Sequence, residues 1–211
     1  MSTLGASNTA LPARVKAPNV QGGQILYLDF DGVLHHHDVH VNAKRGLYFG
    51  KEAQAHGEAQ GHSHRLFEHA PLLIDLLARY PDVRIVLSTS WVRWRGYAHA
   101  RDRLPAELAQ RCVGATFHKQ MDVTTFLAMT RGQQILADVR RREPAAWLAI
   151  DDDDIDWPLG SYARLARSDS ACGIGEPKVC EYLKLALEDQ FTSQAPVSNT
   201  GHQRNTQGGF I

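Results

Sequence analysis

The stretch Gln24-Ile25-Leu26-Tyr27-Leu28-Asp29-Phe30-Asp31-Gly32-Val33-Leu34 decides how this chain is read. An apolar run ending in Asp-x-Asp-Gly has the pattern of a buried parallel strand with functional groups at its tip, because ligands bind outside the carboxyl ends of such strands. Side chains alternate along an extended backbone, so Asp29 and Asp31 point the same way, and Gly32 lets the chain leave the strand in a conformation other residues resist. An Asp-Gly turn after a strand is the plain alternative. The apolar run and the preceding Asp29 favour a functional tip, where two like charges invite a divalent cation.

Working outward, strand patterns fall at residues 25–29, 83–88 and 146–150, with weaker ones at 113–117 and 163–166. Helical patterns lie between them at 70–80, with Pro71 in the first turn, and at 91–101, 130–142 and 177–190. Strands alternating with helices predict an α/β fold: a doubly wound, Rossmann-like parallel sheet with helices on both faces. Residues 1–22 and 192–211 are rich in small polar residues and are expected to be disordered tails around one domain at 23–191.

Composition narrows the function classes. The 211 residues carry 23 Lys+Arg and 23 Asp+Glu, so net charge gives no signature for nucleic acid or membrane. The sequence has no run of about 18 apolar residues and no secretory leader pattern, and its 3 cysteines form no CxxC pair. A cytoplasmic chain without membrane contact or an obligate protein partner is the expectation.

Two further strand tips carry chemistry. Ile85-Val86-Leu87-Ser88-Thr89-Ser90-Trp91 ends a strand in hydroxyl residues, which can present O–H and backbone N–H groups to a phosphate; Ser90 is also placed to cap the helix starting at Trp91. Ile150-Asp151-Asp152-Asp153-Asp154-Ile155-Asp156 sets five acids in six positions after a strand. Such density needs a cation, and oxygen-only ligands point to Mg²⁺ rather than zinc.

Leu28-Asp29-Phe30-Asp31-Gly32-Val33-Leu34 resembles the first motif of the haloacid dehalogenase-like (HAD) phosphohydrolase superfamily. The resemblance implies Asp29 as nucleophile and Asp31 as general acid/base. It implies Thr89 as the hydroxyl that binds the phosphoryl group, with Ser88 open as an alternative. Asp151 and Asp152 match the fourth motif, joining Asp29 and Asp31 around Mg²⁺, with Asp152 favoured as the direct ligand. Ile150 stands where the commoner form has glycine, and an Asp152/Asp156 register remains open. The third-motif lysine is missing; Arg131 or Lys119 would supply that cation, and an arginine brings a planar fork rather than a point charge. Gly32, Ser88, Ser90, Lys119 and Arg93 are the expected substrate contacts.

Leu66-Phe67-Glu68, Leu87 to Trp91, Arg111-Cys112-Val113-Gly114-Ala115-Thr116 and Trp147 to Asp152 extend the resemblance over residues 24–190. Together they are similar to small bacterial HAD domains, some of them like the HAD modules of multi-enzyme RNA-repair proteins. The implied function is a Mg²⁺-dependent phosphohydrolase acting on a phosphomonoester through an aspartyl-phosphate. A nucleic-acid 3′-phosphatase and a non-catalytic phosphate- or partner-binding module are the alternatives. The substrate would be a phosphorylated small molecule or a nucleic-acid end.

A short flap or minimal cap is expected at about 33–66. This region and its flank hold His35, His36, His37, His40, His56, His62, His64 and His69, eight of the 11 histidines; without the spacing of a defined zinc site they are expected to be ordinary flap residues, with a second, transition-metal site as the alternative. Trp91 and Trp94, at i and i+3, predict one packed helix face with Arg93 and Arg95 in solvent; a grip of these arginines and aromatics on a second phosphate or a base is the alternative.

Overall fold

Five strands pair edge to edge into one sheet, all parallel. The computed structural model describes residues 20–192 apart from 43 and 45. In chain order the elements are β1 (Gln24–Leu28), β2 (Val39–Asn42), β3 (Gly46–Phe49), α1 (Lys51–Gln60), α2 (Ala70–Leu77), β4 (Val83–Leu87), α3 (Trp91–Arg95), α4 (Tyr97–Arg101), α5 (Ala106–Ala109), β5 (Cys112–Ala115), α6 (Val123–Leu127), α7 (Arg131–Arg142), β6 (Ala146–Asp151), β7 (Leu165–Arg167) and α8 (Pro177–Thr192). Of the two expected tails, residues 1–19 and 193–211 lie outside the described residues, while Gly22 donates its N–H to the Arg142 carbonyl at 2.7 Å.

β1 is central because both of its faces are apolar. Leu26 and Leu28 enter a core with Leu73, Leu77, Val92, Ala100, Leu108, Leu183 and Leu187; Ile25 and Tyr27 enter a smaller one with Ile135 and Trp157. At about 1.5–3 kcal/mol per fully buried aliphatic side chain, these layers commit the strand to the sheet's middle. Helices cover both faces, which is the expected doubly wound Rossmann-like arrangement.

The chain runs from β1 outward to β4 and β5, then returns across β1 to β6 and β7, so the winding reverses at β1. Leu28 pairs with Leu87 on one side and Ile150 on the other. The next residue on each strand therefore falls in one row: Asp29, Ser88 and Asp151.

α7 begins where its caps dictate. Thr130 accepts from the Gln133 N–H at 3.4 Å and Gln133 accepts from the Thr130 N–H at 3.0 Å, a reciprocal capping box worth about 0.5–2 kcal/mol. This fixes Arg131 in the first turn, at the carboxyl end of the sheet.

The expected helix over 91–101 is two short helices broken at Gly96, whose φ of 91° no helix accommodates. Within α3, Trp91 is buried with its Nε1 on Asp31 while Trp94 is 58% exposed, so the predicted Trp91–Trp94 packed face does not form. The region of the expected flap holds the antiparallel hairpin β2–β3, whose strands of four residues each are too short to stand out by periodicity, followed by α1, whose sequence is mostly polar.

Candidate active site

The aligned strand tips set the site. Asp29 is 4% exposed, and its Oδ1 accepts from the Phe30 N–H at 2.7 Å. Its Oδ2 pairs with the Arg131 guanidinium at 3.0 Å, and Arg131 Nε stands 3.2 Å from Asp151 Oδ2. Another arm of the same guanidinium donates to the Ser88 carbonyl. Arg131 thus ties β1, β4 and β6 together at their tips. Lys119, the other candidate cation, is exposed and makes no ion pair among the described residues.

Asp29, Asp151 and Asp152 each bring a carboxylate oxygen within 4.8 Å of the others. Gly32 makes this approach possible. Its φ is +70°, and a Cβ there would overlap the Asp152 carboxylate, so only glycine serves both the turn and the contact. Asp151 is fully buried, and its Oδ2 meets Arg131 without hydrogen-bond geometry. Asp156 is exposed and takes no part in the trio, which leaves Asp152 without the alternative partner.

Three carboxylates facing one guanidinium leave two negative charges uncompensated. Burial raises the Asp29 carboxyl from its ordinary 3.8 to about 6; Arg131 opposes the rise, and Asp31 and Asp152 add to it. Burial, then the Asp29 charge, hold the Asp151 carboxyl well above its ordinary value. Burial disfavours the Arg131 charge, but Asp29 and Asp151 outweigh it and keep the guanidinium protonated. All-oxygen donors carrying excess negative charge fit Mg²⁺.

The Asp31 side chain, expected as a fourth metal ligand, lies outside the trio. Both its oxygens accept from Trp91 Nε1, at 3.1 and 3.0 Å, and Oδ1 also meets His35 Nε2 at 3.1 Å. His35 Nδ1 accepts the Phe67 N–H at 3.2 Å, which fixes the tautomer and makes Nε2 the donor to Asp31. Phe67 reaches His35 from a left-handed backbone, φ 59°. Sequence reading assigned Trp91 to packing and His35 to the flap; only the i, i+4 spacing of Asp31 and His35 hinted at their contact.

Of the hydroxyl residues, Thr89 and Ser90 open onto a cavity of about 160 Å³ with Arg93, Arg131 and Thr116. Ser88 is fully buried and its Oγ has no partner. Thr89 Oγ1 accepts the Trp91 N–H at 3.4 Å, so Thr89 rather than Ser90 makes the side-chain contact at the start of α3. On the other side of Ser90, a cavity of about 300 Å³ adjoins Asp31 between the hairpin and α3–α4, lined by Trp91, Trp94, Arg95 and Arg103.

The family model described as the HAD domain in Swiss Army Knife RNA repair proteins matches residues 25–179. No curated protein and no solved structure matches the chain. No described helix is long and apolar enough to cross a membrane.

Proposed function

We propose that this chain, which belongs to the family of HAD domains in Swiss Army Knife RNA repair proteins, is a Mg²⁺-dependent phosphohydrolase that works through an aspartyl-phosphate. The observation that carries this reading is the set of three carboxylates and one guanidinium at the tips of adjacent parallel strands. Asp29, Asp151 and Asp152 would hold the ion, which when bound offsets negative charge on the site and the phosphoryl oxygens.

Asp29 attacks phosphorus, the bond to the leaving oxygen breaks, and Asp31 passes its proton to that oxygen. Asp31 then takes a proton from water, whose oxygen attacks phosphorus and releases the Asp29 carboxylate and inorganic phosphate. Arg131 and Thr89 supply donors to the phosphoryl oxygens, and Arg131 holds Asp29 in its attacking rotamer. Trp91 and His35 orient the Asp31 carboxylate.

Within this reading, the leaving group is best matched by a nucleic-acid end. The cavity beside Asp31 pairs the exposed Trp94 face with Arg95 and Arg103, a surface on which a base stacks while guanidiniums meet a neighbouring phosphate. The test is phosphate release with Mg²⁺ from small phosphomonoesters and from 3′- and 5′-phosphorylated oligonucleotides, with acid-quench trapping of labelled enzyme. The expected result is a trapped acid-stable, base-labile phosphoenzyme and preference for an oligonucleotide end. Absence of release from every substrate overturns the hydrolase reading; equal turnover of small esters and oligonucleotides overturns the nucleic-acid assignment.

A further inference from the structure

The flap gathers a second set of polar side chains, with nitrogen instead of oxygen as its donor. His36 comes from the loop after β1, His56 from α1 and His64 from the turn before α2. One ring nitrogen of each lies within 4.8 Å of the others. The ring centroids are 5.5 Å apart for His36–His56, 4.9 Å for His36–His64 and 5.2 Å for His56–His64.

Three features separate this cluster from ordinary packing. His36 is completely buried, and its Nε2 has no hydrogen-bond partner. His64 donates Nδ1–H to Glu68 Oε1 at 2.6 Å, which leaves Nε2 as a lone pair aimed at His56 Nδ1, 2.9 Å away. A carboxylate that fixes the tautomer of a histidine in this way is the usual support of a metal-bound imidazole. Finally, only Ala53 and Gly57 are buried along α1; its first turn is tied to the loop after β1 by the Asp38 carboxylate, which accepts the Glu52 and Ala53 N–H groups at 2.9 and 3.1 Å, while its second turn, which carries His56, has no such tie among the described residues. Gly57 permits the approach, since a Cβ there would meet the His62 carbonyl at 2.6 Å.

We infer that His36, His56 and His64 form a second metal site, for a transition ion of the Zn²⁺ class, which staples α1 to the loop after the catalytic strand. Three imidazoles suit Zn²⁺ and are poor ligands for Mg²⁺, so the two sites select different ions. Ligand nitrogens around tetrahedral Zn²⁺ stand about 3.3 Å apart, from Zn–N bonds of about 2.0–2.1 Å, so modest side-chain adjustment closes the set. Burial and the neighbouring rings push His36 from 6.5 down to about 4, so it is a neutral imidazole at neutral pH, the form that ligates.

Loading changes two tautomers without net proton release from either ring. His56 moves its proton from Nδ1 to Nε2, where Cys172 Sγ lies 3.8 Å away as an acceptor. His36 moves its proton from Nε2 to Nδ1 and gives up the hydrogen bond that Nδ1 now accepts from the Asp38 N–H at 3.0 Å. The cost is that hydrogen bond and two N–H donors left facing each other, which the affinity of three imidazoles for zinc outweighs.

The experiment takes the untagged full chain, stripped with chelator and then saturated with Mg²⁺ to block the carboxylate site, and titrates it with Zn²⁺ by calorimetry. One Zn²⁺ per chain and a raised melting temperature are expected, with Co²⁺ giving the intense visible bands of tetrahedral nitrogen coordination. His56→Gln/His64→Gln should lose the ion, and His62→Gln, at an exposed neighbour, should keep it. Should the double variant fail to fold, Glu68→Gln still decides: it is expected to weaken binding about 10–100-fold with the fold intact by circular dichroism. Lack of Zn²⁺ uptake by the wild type, or equal affinity in wild type and Glu68→Gln, would overturn the assignment.

Discussion

Helix α7 carries a buried aspartate–arginine cluster at each end, and the two are built to opposite rules. At its carboxyl end, fully buried Asp138 accepts from Arg141 at 2.5 Å, from Arg142 Nε at 2.6 Å and from the Tyr27 hydroxyl at 3.1 Å. The arginines go on to the Thr116 and Val20 carbonyls, at 3.3 and 3.0 Å. One acid is met there by two bases and a phenol. At the amino end, Arg131 alone faces Asp29, Asp151 and Asp152. A buried charge whose partners all come from the chain holds the fold together; a buried deficit of positive charge marks where something from solution is meant to bind.

The largest expected effects break the comparison cleanly. Asp29→Asn should abolish phosphate release, since an amide offers no attacking oxygen, while leaving the melting temperature in chelator equal to wild type or higher. Asp138→Asn should do the reverse, destabilising by about 3–5 kcal/mol, because it leaves Arg141 and Arg142 underpaired, with turnover per folded molecule unchanged. Paired melting and kinetic measurements check both. An unfolded Asp29→Asn protein, or a folded but inactive Asp138→Asn protein, would erase the distinction between the two ends.

Asp31→Asn should lower turnover about 10²–10⁴-fold, the usual weight of general acid/base catalysis. The loss should be greatest for the ester with the poorest leaving group, and a uniform loss across leaving groups would remove Asp31 from the acid role.

A smaller effect follows from the uncompensated acids. In chelator, the native Asp29 carboxyl titrates at about 6 against 3.8 in the unfolded chain, so between those values the native state keeps a proton the unfolded state has lost. That contribution to stability is fully present below 3.8 and disappears as pH rises through about 6. Relative to Asp29→Asn, the melting temperature of metal-free wild type should fall across this window, and Mg²⁺ should flatten the fall. A parallel pH profile for the two proteins would show that the acid cluster is not under strain.

Smallest of all should be Asp154→Ala, which removes an exposed pairing with Arg167 at 3.3 Å and costs about 0–1 kcal/mol. Asp152→Ala, by contrast, should weaken Mg²⁺ binding in calorimetric titration. Equal Mg²⁺ affinities in the two variants would take Asp152 out of the metal site.

The sequence by itself determined the sheet and the row of residues at its tips. Continuous apolar runs such as Ile25–Leu28 and Leu148–Ile150 can be buried on both faces only in a covered parallel sheet, and an acid or hydroxyl after each run must then stand at a carboxyl end. Which acids meet was left to the tertiary structure. Asp31 and Asp152 follow their strands in equivalent-looking contexts, yet Asp152 closes over Gly32 while Asp31 turns to Trp91 and His35. Arg131 was preferred along the chain, with Lys119 left open as the other candidate; the Thr130 cap and the start of α7 brought Arg131 to Asp29. The sequence left a second metal site open among the flap histidines but could not single out His36, His56 and His64, which have no common spacing. They converge only when α1 folds back against the loop after β1, and periodicity along a chain carries no record of contacts between separate segments.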